Sequence, residues 1–146
     1  MNPYFEQMIL LASPIELVRL LYQRAIASVR DAREHLKARR IAERCASINA
    51  AYAVLLELTG ALREEDSPEL SARLRGLYGY MQGRLIEANS RQSDEPLAEV
   101  LGLLSTLAEA WNEVPDSAKA EEAAANPWPG VSSSSADEAG RHAVSA

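Results

Sequence analysis

No stretch of this chain approaches the roughly 20 consecutive apolar residues of a membrane span, so membrane insertion is not expected. A single cysteine, Cys45, excludes an internal disulfide framework and gives no sign of an oxidising compartment. The opening MNPYFEQMILLASP has no basic lead, and its apolar run is too short for a signal peptide, which makes the cytosol the expected location. Chemistry is equally sparse. The two histidines, His35 and His142, form no Glu-x-x-His pair, so the ligands of a di-iron bundle are missing. No glycine-rich loop follows a strand, and no serine or cysteine stands out as a nucleophile beside a histidine. The expectation is a protein that is not an enzyme, with no catalytic residue, no metal site and no cofactor.

What is present favours helices. The 146 residues suffice for one ordinary domain, and the 47% apolar content is dominated by alanine and leucine rather than by β-branched runs. The net charge of −6 is uneven. Residues 13–44 carry eight Lys/Arg against four Asp/Glu, whereas residues 45–146 carry seven against sixteen. The basic portion is spread around one helix without interleaved aromatics, so nucleic acid is not an expected partner and an RNA-binding regulator is a poor fit.

Ser13-Pro14-Ile15-Glu16 reads as a helix start, with Ser13 and Glu16 as a capping box and Pro14 at the first helical position. Behind it Val18, Tyr22, Ala25, Val29, Ala32 and Leu36 make a packing seam, and Arg19, Gln23, Arg30 and Glu34 read as ordinary surface. A second helix is expected from about Ile41 to Leu62, with Ile41, Cys45, Ile48, Tyr52, Leu55, Thr59 and Leu62 as its seam and Cys45 as a buried thiol. The third starts with Ser67-Pro68-Glu69 and ends near Asn89. Asp94 and Pro96 open the fourth, where Leu97, Leu101, Leu104, Ala108 and Trp111 form a seam that Val100, Leu103, Leu107 and Ala110 widen.

Short connections between four helices predict an all-α, antiparallel up-and-down four-helix bundle. The expected organisation is an N-terminal segment over residues 1–12, the bundle over 13–114, and a disordered Ala/Ser/Pro-rich tail over 115–146.

Two outer faces depart from the charged surface a bundle should show. In Leu74–Asn89, the residues Leu74, Leu77, Tyr78, Met81, Leu85 and Ala88 share one arc, while Ala72, Gly76, Gly79 and Gly83 recur on the opposite one. Each glycine in a helix interior forgoes about 0.8–1 kcal/mol relative to alanine. On the second helix Ala46, Ala50, Ala53, Val54 and Ala61 fall where charges should lie. Such faces suit a docked partner, or a second copy in a helical adaptor or homodimerisation module.

The ASPIEL start followed by LLYQRAI, the LYGYM…RLIEAN of the third helix, and the AEV…AW of the fourth resemble the FliS family over about Tyr4 to Trp111. The resemblance implies a cytosolic chaperone that binds the disordered C-terminal segment of flagellin, prevents premature polymerisation and delivers it to the flagellar type III export gate. It also implies a docking role at that gate for Tyr4, and motif roles for Leu77, Tyr78, Tyr80, Met81, Arg84, Leu85, Glu87, Ala88, Asn89 and Trp111. Gly79 stands where relatives carry an acidic residue, and Gly83 where they carry a basic one. Taken together, the expected partner-binding residues are Tyr4, Ala46, Ala50, Ala53, Val54, Gly76, Gly79, Tyr80, Gly83, Ile86, Leu103 and Leu107. The expected partners are the flagellin C-terminal segment and an export-gate component, with self-association open. Residues 1–12 are an expected lid over the groove.

Overall fold

Pro14, whose ring presets a helical φ and whose missing N–H is no loss in a first turn, opens the first helix of the computed structural model, which describes residues 14–65 and 67–114. The helices are α1 (Pro14–Lys37), α2 (Ile41–Gly60), α3 (Pro68–Arg91) and α4 (Asp94–Asn112), and there is no strand among the described residues. The capping serine expected at Ser13, the segment 1–12 and the tail 115–146 lie outside the described residues. Successive helices pack as neighbours, and α4 closes on α1. The result is the antiparallel up-and-down four-helix bundle that the short connections predict.

The turns show why the helices stop where they do. Arg39 (φ 60°) and Gln92 (φ 50°) take the left-handed conformation with side chains other than glycine. At Gln92 this cap lets the backbone N–H bond the Ala88 carbonyl, satisfying an end group of α3. Helix α4 opens at Asp94 as expected, with Ser93 at the cap position, and the Asp94 side chain pairs across to α1. Its two oxygens accept from Arg33 Nε and Nη2 at 2.8 and 2.9 Å, a bidentate pair tying α1 to α4. That hydrogen bonding holds the Asp94 carboxyl below its usual range. Arg19 is not ordinary surface. Its guanidinium donates to the Trp111 carbonyl (3.1 Å) and to the Val114 carbonyl, satisfying the open C-terminal end of α4.

The core seams of α1, α3 and α4 lie as expected, with Tyr22, Val29, Met81, Leu85, Leu97 and Leu104 fully buried. Helix α2 corrects the reading. Ile41, expected in the seam, is 59% exposed, and Cys45 is only half-buried. The buried stripe is Arg44, Ile48, Ala51, Leu55 and Leu58, with Val54 beside it. Both stripes step by +4 and +3 and share Ile48 and Leu55. The true one was hidden because it begins with an arginine. Arg44 is 5% exposed, and its Nε donates to Asn89 Oδ1 at 3.1 Å. The Cys45 thiol donates to the same oxygen at 3.3 Å. Asn89 therefore holds the rotation of α2 against α3.

At the centre, the Tyr22 and Tyr78 hydroxyls meet at 2.5 Å across the bundle diagonal, with the Trp111 ring 6.5 Å from that of Tyr22. Burial pushes the Tyr22 phenol up to about 12 and the Tyr78 phenol up as well.

Two predictions follow from these contacts. Asn89→Ala leaves the buried Arg44 without its acceptor and should lower stability by about 1.5–3 kcal/mol in urea denaturation. Adding Arg44→Met should recover most of that loss, because the burdened group is then gone. The second concerns pH. An unfolded tyrosine ionises near 10, and a phenol whose folded value is raised favours the folded state fully below that pH. The contribution decays as pH climbs through the window from about 10 to about 12 given by Tyr22. Spectroscopic titration should therefore find two tyrosines still protonated where free tyrosine has ionised, and their ionisation should coincide with loss of helix.

Candidate functional site

With the rotation of α2 known, its outward residues can be placed. Ala46 and Ala53 are exposed, and Ala50 is half-buried. Val54 is 6% exposed and Leu107 on α4 is 2% exposed, so these two are core rather than outer surface. A turn of the α2 seam by about 45°, from the Cys45 side to the Arg44 side, brings Val54 inward, and the apolar arc of α4 is wide because its flank is covered. Leu103 is half-buried. Tyr4 lies outside the described residues.

On α3, Gly76, Gly79 and Gly83 are all exposed, and a Cβ built on any of them would meet nothing within 4 Å. No element of the described bundle requires these glycines for close approach. Ile86, 56% exposed, shares this side of α3. The sequence reading missed Leu56, which is 54% exposed. Leu56 follows Cys45 by eleven residues, close to three full turns, and so lies on the flank whose Cys45 thiol touches Asn89 of α3. Ile86 lies one turn before Asn89, on the flank that faces α2 and solvent. Leu56 and Ile86 therefore line the same α2–α3 junction, with the open glycines at its rim. In the antiparallel register set by Cys45 and Asn89, the two stand roughly 12 Å apart along the axis. A single exposed leucine beside a seam leucine (Leu55) carries no sequence signal, which is why Leu56 could be found only after the seam was fixed.

The other side of α3 is different. Tyr80, 49% exposed, donates its hydroxyl to Glu99 Oε1 of α4 at 2.7 Å. Arg84 Nε donates to the same oxygen at 2.6 Å, while its Nη1 reaches Glu87 at 2.6 Å. These donors, Tyr80 first, hold the Glu99 carboxyl low, and the bond to Glu99 pushes the Tyr80 phenol up. Tyr80 thus belongs to a polar brace over the α3–α4 junction, away from Ile86, and Leu103 is a partly buried leucine packed against the core. The α3–α4 junction is braced by this charged network, whereas the α2–α3 junction, below its Asn89 contacts, exposes Leu56 and Ile86. Among the described residues no group of His, Cys, Asp and Glu could hold a metal ion, and no helix is long and apolar enough to cross a membrane.

The sequence model of the family described as flagellar protein FliS matches residues 1–118. The chain belongs to the FliS family. It is 31% identical to the flagellar secretion chaperone FliS of Salmonella typhimurium over 118 residues, 80% of this chain and 87% of that protein. It is 33% identical to FliSB of Pseudomonas aeruginosa over 103 residues, 70% and 82% of the two chains, and 29% identical to FliS of Bacillus subtilis over 115 residues, 77% and 85%. FliS is a chaperone family, not an enzyme family. The residues that carried the resemblance now divide by job. Tyr78, Met81, Leu85, Ala88 and Trp111 are core, Asn89 orients α2, and Tyr80, Arg84 and Glu87 brace α4. The FliS signature on α3 largely builds the bundle.

The open glycine face generates a stability prediction. Since an added side chain at Gly79 or Gly83 has room, each change to leucine should raise stability by about 0.5–1 kcal/mol through helix propensity. Thermal or urea unfolding of the two variants measures it.

Proposed function

We propose that this chain is a cytosolic flagellar export chaperone that holds the C-terminal segment of flagellin, prevents its premature polymerisation and delivers it to the export gate. Membership of a family whose curated relatives are flagellar secretion chaperones supports the coarse role. The observation that supports a docking groove is the α2–α3 junction, where Leu56 and Ile86 expose large apolar side chains beside an open glycine face. Their spacing of roughly 12 Å fits residues about two turns apart on one face of an amphipathic helix. The client segment orders as it docks. Coupled folding and binding of this kind buries on the order of 1,000–3,000 Å² while ordering consumes several kcal/mol, so the complex stays reversible and the client can be handed on.

In this reading residues 1–12 cover the groove until flagellin displaces them, and Tyr4 then meets the export-gate component. Ala46 and Ala53 on α2 and Gly76, Gly79, Gly83 and Ile86 on α3 contribute contact surface.

Calorimetric titration of the full chain with the C-terminal segment of the organism's own flagellin is the deciding experiment. A one-to-one complex with a gain of helix is expected; no heat and no helix would sink the reading. Leu56→Ala and Ile86→Ala should each weaken binding at least tenfold, about 1.4 kcal/mol. Both sites are exposed, so stability should stay within about 0.5 kcal/mol. Deleting residues 2–11 should tighten binding, and equal or weaker affinity would count against a cover. Sedimentation of the chain alone separates this reading from homodimerisation through the same faces, because a dimer that persists when flagellin is added favours the latter.

A further inference from the structure

We propose that the basic apex between α1 and α2, Lys37, Arg39 and Arg40, is an electrostatic docking surface for the acidic residues of the chain's own segment 115–146. Residues 30–44 carry six Lys/Arg (Arg30, Arg33, Lys37, Arg39, Arg40, Arg44) against Asp31, Glu34 and Glu43, a net of +3 within a chain of net −6. Arg33 is committed to Asp94, and Arg44 is buried on Asn89. Lys37, Arg39 and Arg40 are exposed, and among the described residues none of them makes an ion pair, although Lys37 lies near enough to Asp94 to help hold that carboxyl low. Segment 115–146 carries Asp116, Glu121, Glu122, Asp137 and Glu138 against Lys119 and Arg141, a net of −3.

Reach decides which acids can meet the apex. The segment leaves α4 after Val114, whose carbonyl is held by Arg19 near the start of α1. From Arg19 to Lys37 is eighteen residues of helix, roughly 27 Å. An unstructured chain of 23–24 residues, the number that separates Val114 from Asp137 and Glu138, spans about 24–29 Å on average. Effective concentration is greatest when the average span of a tether matches the gap it must cross. Glu121, seven residues on, falls short of the apex at about 23–25 Å of full extension, and Glu122, eight residues on, reaches it only fully extended at about 26–29 Å. The Asp137–Glu138 pair is therefore the principal occupant. A tethered acid competes at a local concentration that a free anionic macromolecule seldom attains, so the segment shields the exposed cationic side chains of the α1–α2 turn.

The test uses the full chain with Cys45→Ala and a nitroxide on Ser133→Cys. At about 0.01 M salt, where screening extends over roughly 30 Å, amide signals of residues 37–44 should broaden; at about 1 M, where it shrinks to roughly 3 Å, the broadening should vanish. Asp137→Asn with Glu138→Gln should cut the broadening at least about twofold, whereas Glu121→Gln with Glu122→Gln should change it less. Reversing Lys37, Arg39 and Arg40 to glutamate should abolish it, and reversing Asp137 and Glu138 to lysine in that background should restore it. Broadening confined to residues around 61–65 and 111–114, or unaltered by salt and by these charges, would overturn the proposal. So would an apex that binds phosphatidylserine vesicles or an oligonucleotide equally well with and without the tail acids.

Discussion

Everything outward on this molecule depends on how far α2 is turned about its own axis, and one oxygen atom governs that angle. Asn89 Oδ1 accepts from Arg44 Nε and from the Cys45 thiol, the first residue deeply buried and the second half-buried. A charged guanidinium taken out of water is tolerable only where its donors find acceptors, and an amide oxygen provides one without adding a second buried charge. With Arg44 drawn inward, Ala51, Leu55 and Leu58 follow it into the core and Ile41 swings out. Leu56 then lies exposed at the α2–α3 junction. The exposure of Leu56 beside this junction follows from a contact some three turns away along α2.

The two flanks of α3 illustrate how the same helix can be fastened on one side and left receptive on the other. Towards α4, Glu99 collects donors from Tyr80 and Arg84, and Arg84 also holds Glu87. These groups are accessible to water, so each pair contributes little by itself, but sharing partners gives the set a geometry that isolated ion pairs lack. Towards α2, the described contacts are the Asn89 hydrogen bonds and the exposed Arg75–Glu64 pair rather than a shared-carboxylate network, and Leu56 and Ile86 face solvent. A partner that buried them would gain apolar contact without first breaking a network, which is why the open junction suits a reversible client better than the braced one.

Much of this architecture was legible in the residues. Proline and serine punctuation located the starts of α1, α3 and α4 within a residue, and the seams of α1, α3 and α4 lay where period-3.6 spacing put them. The site was legible only in part. Gly76, Gly79 and Gly83 are open as their arc implied, yet Val54 and Leu107 turned out to be core. Period alone could not choose between two α2 stripes that share Ile48 and Leu55, since the choice turned on whether an arginine would be buried. Such a choice is tertiary: Arg44 is inside because Asn89, forty-five residues away, is there to meet it.

Three interior glycines forgo about 2–3 kcal/mol, a large share of the 5–15 kcal/mol that usually separates folded from unfolded chains. Close helix packing, the usual reason to retain them, does not apply, because the space above each is empty of any described element. Nor do they serve a turn, since all three lie inside α3. What remains is the shape of the surface itself. Without side chains at Gly79 and Gly83 the rim beside Ile86 is low, and an approaching helix can bring its own bulk against the backbone while Ile86 and Leu56 grip its sides. In that reading the stability forgone by the free bundle is recovered in the complex, and the recovery is specific to a client whose anchor residues match the two walls.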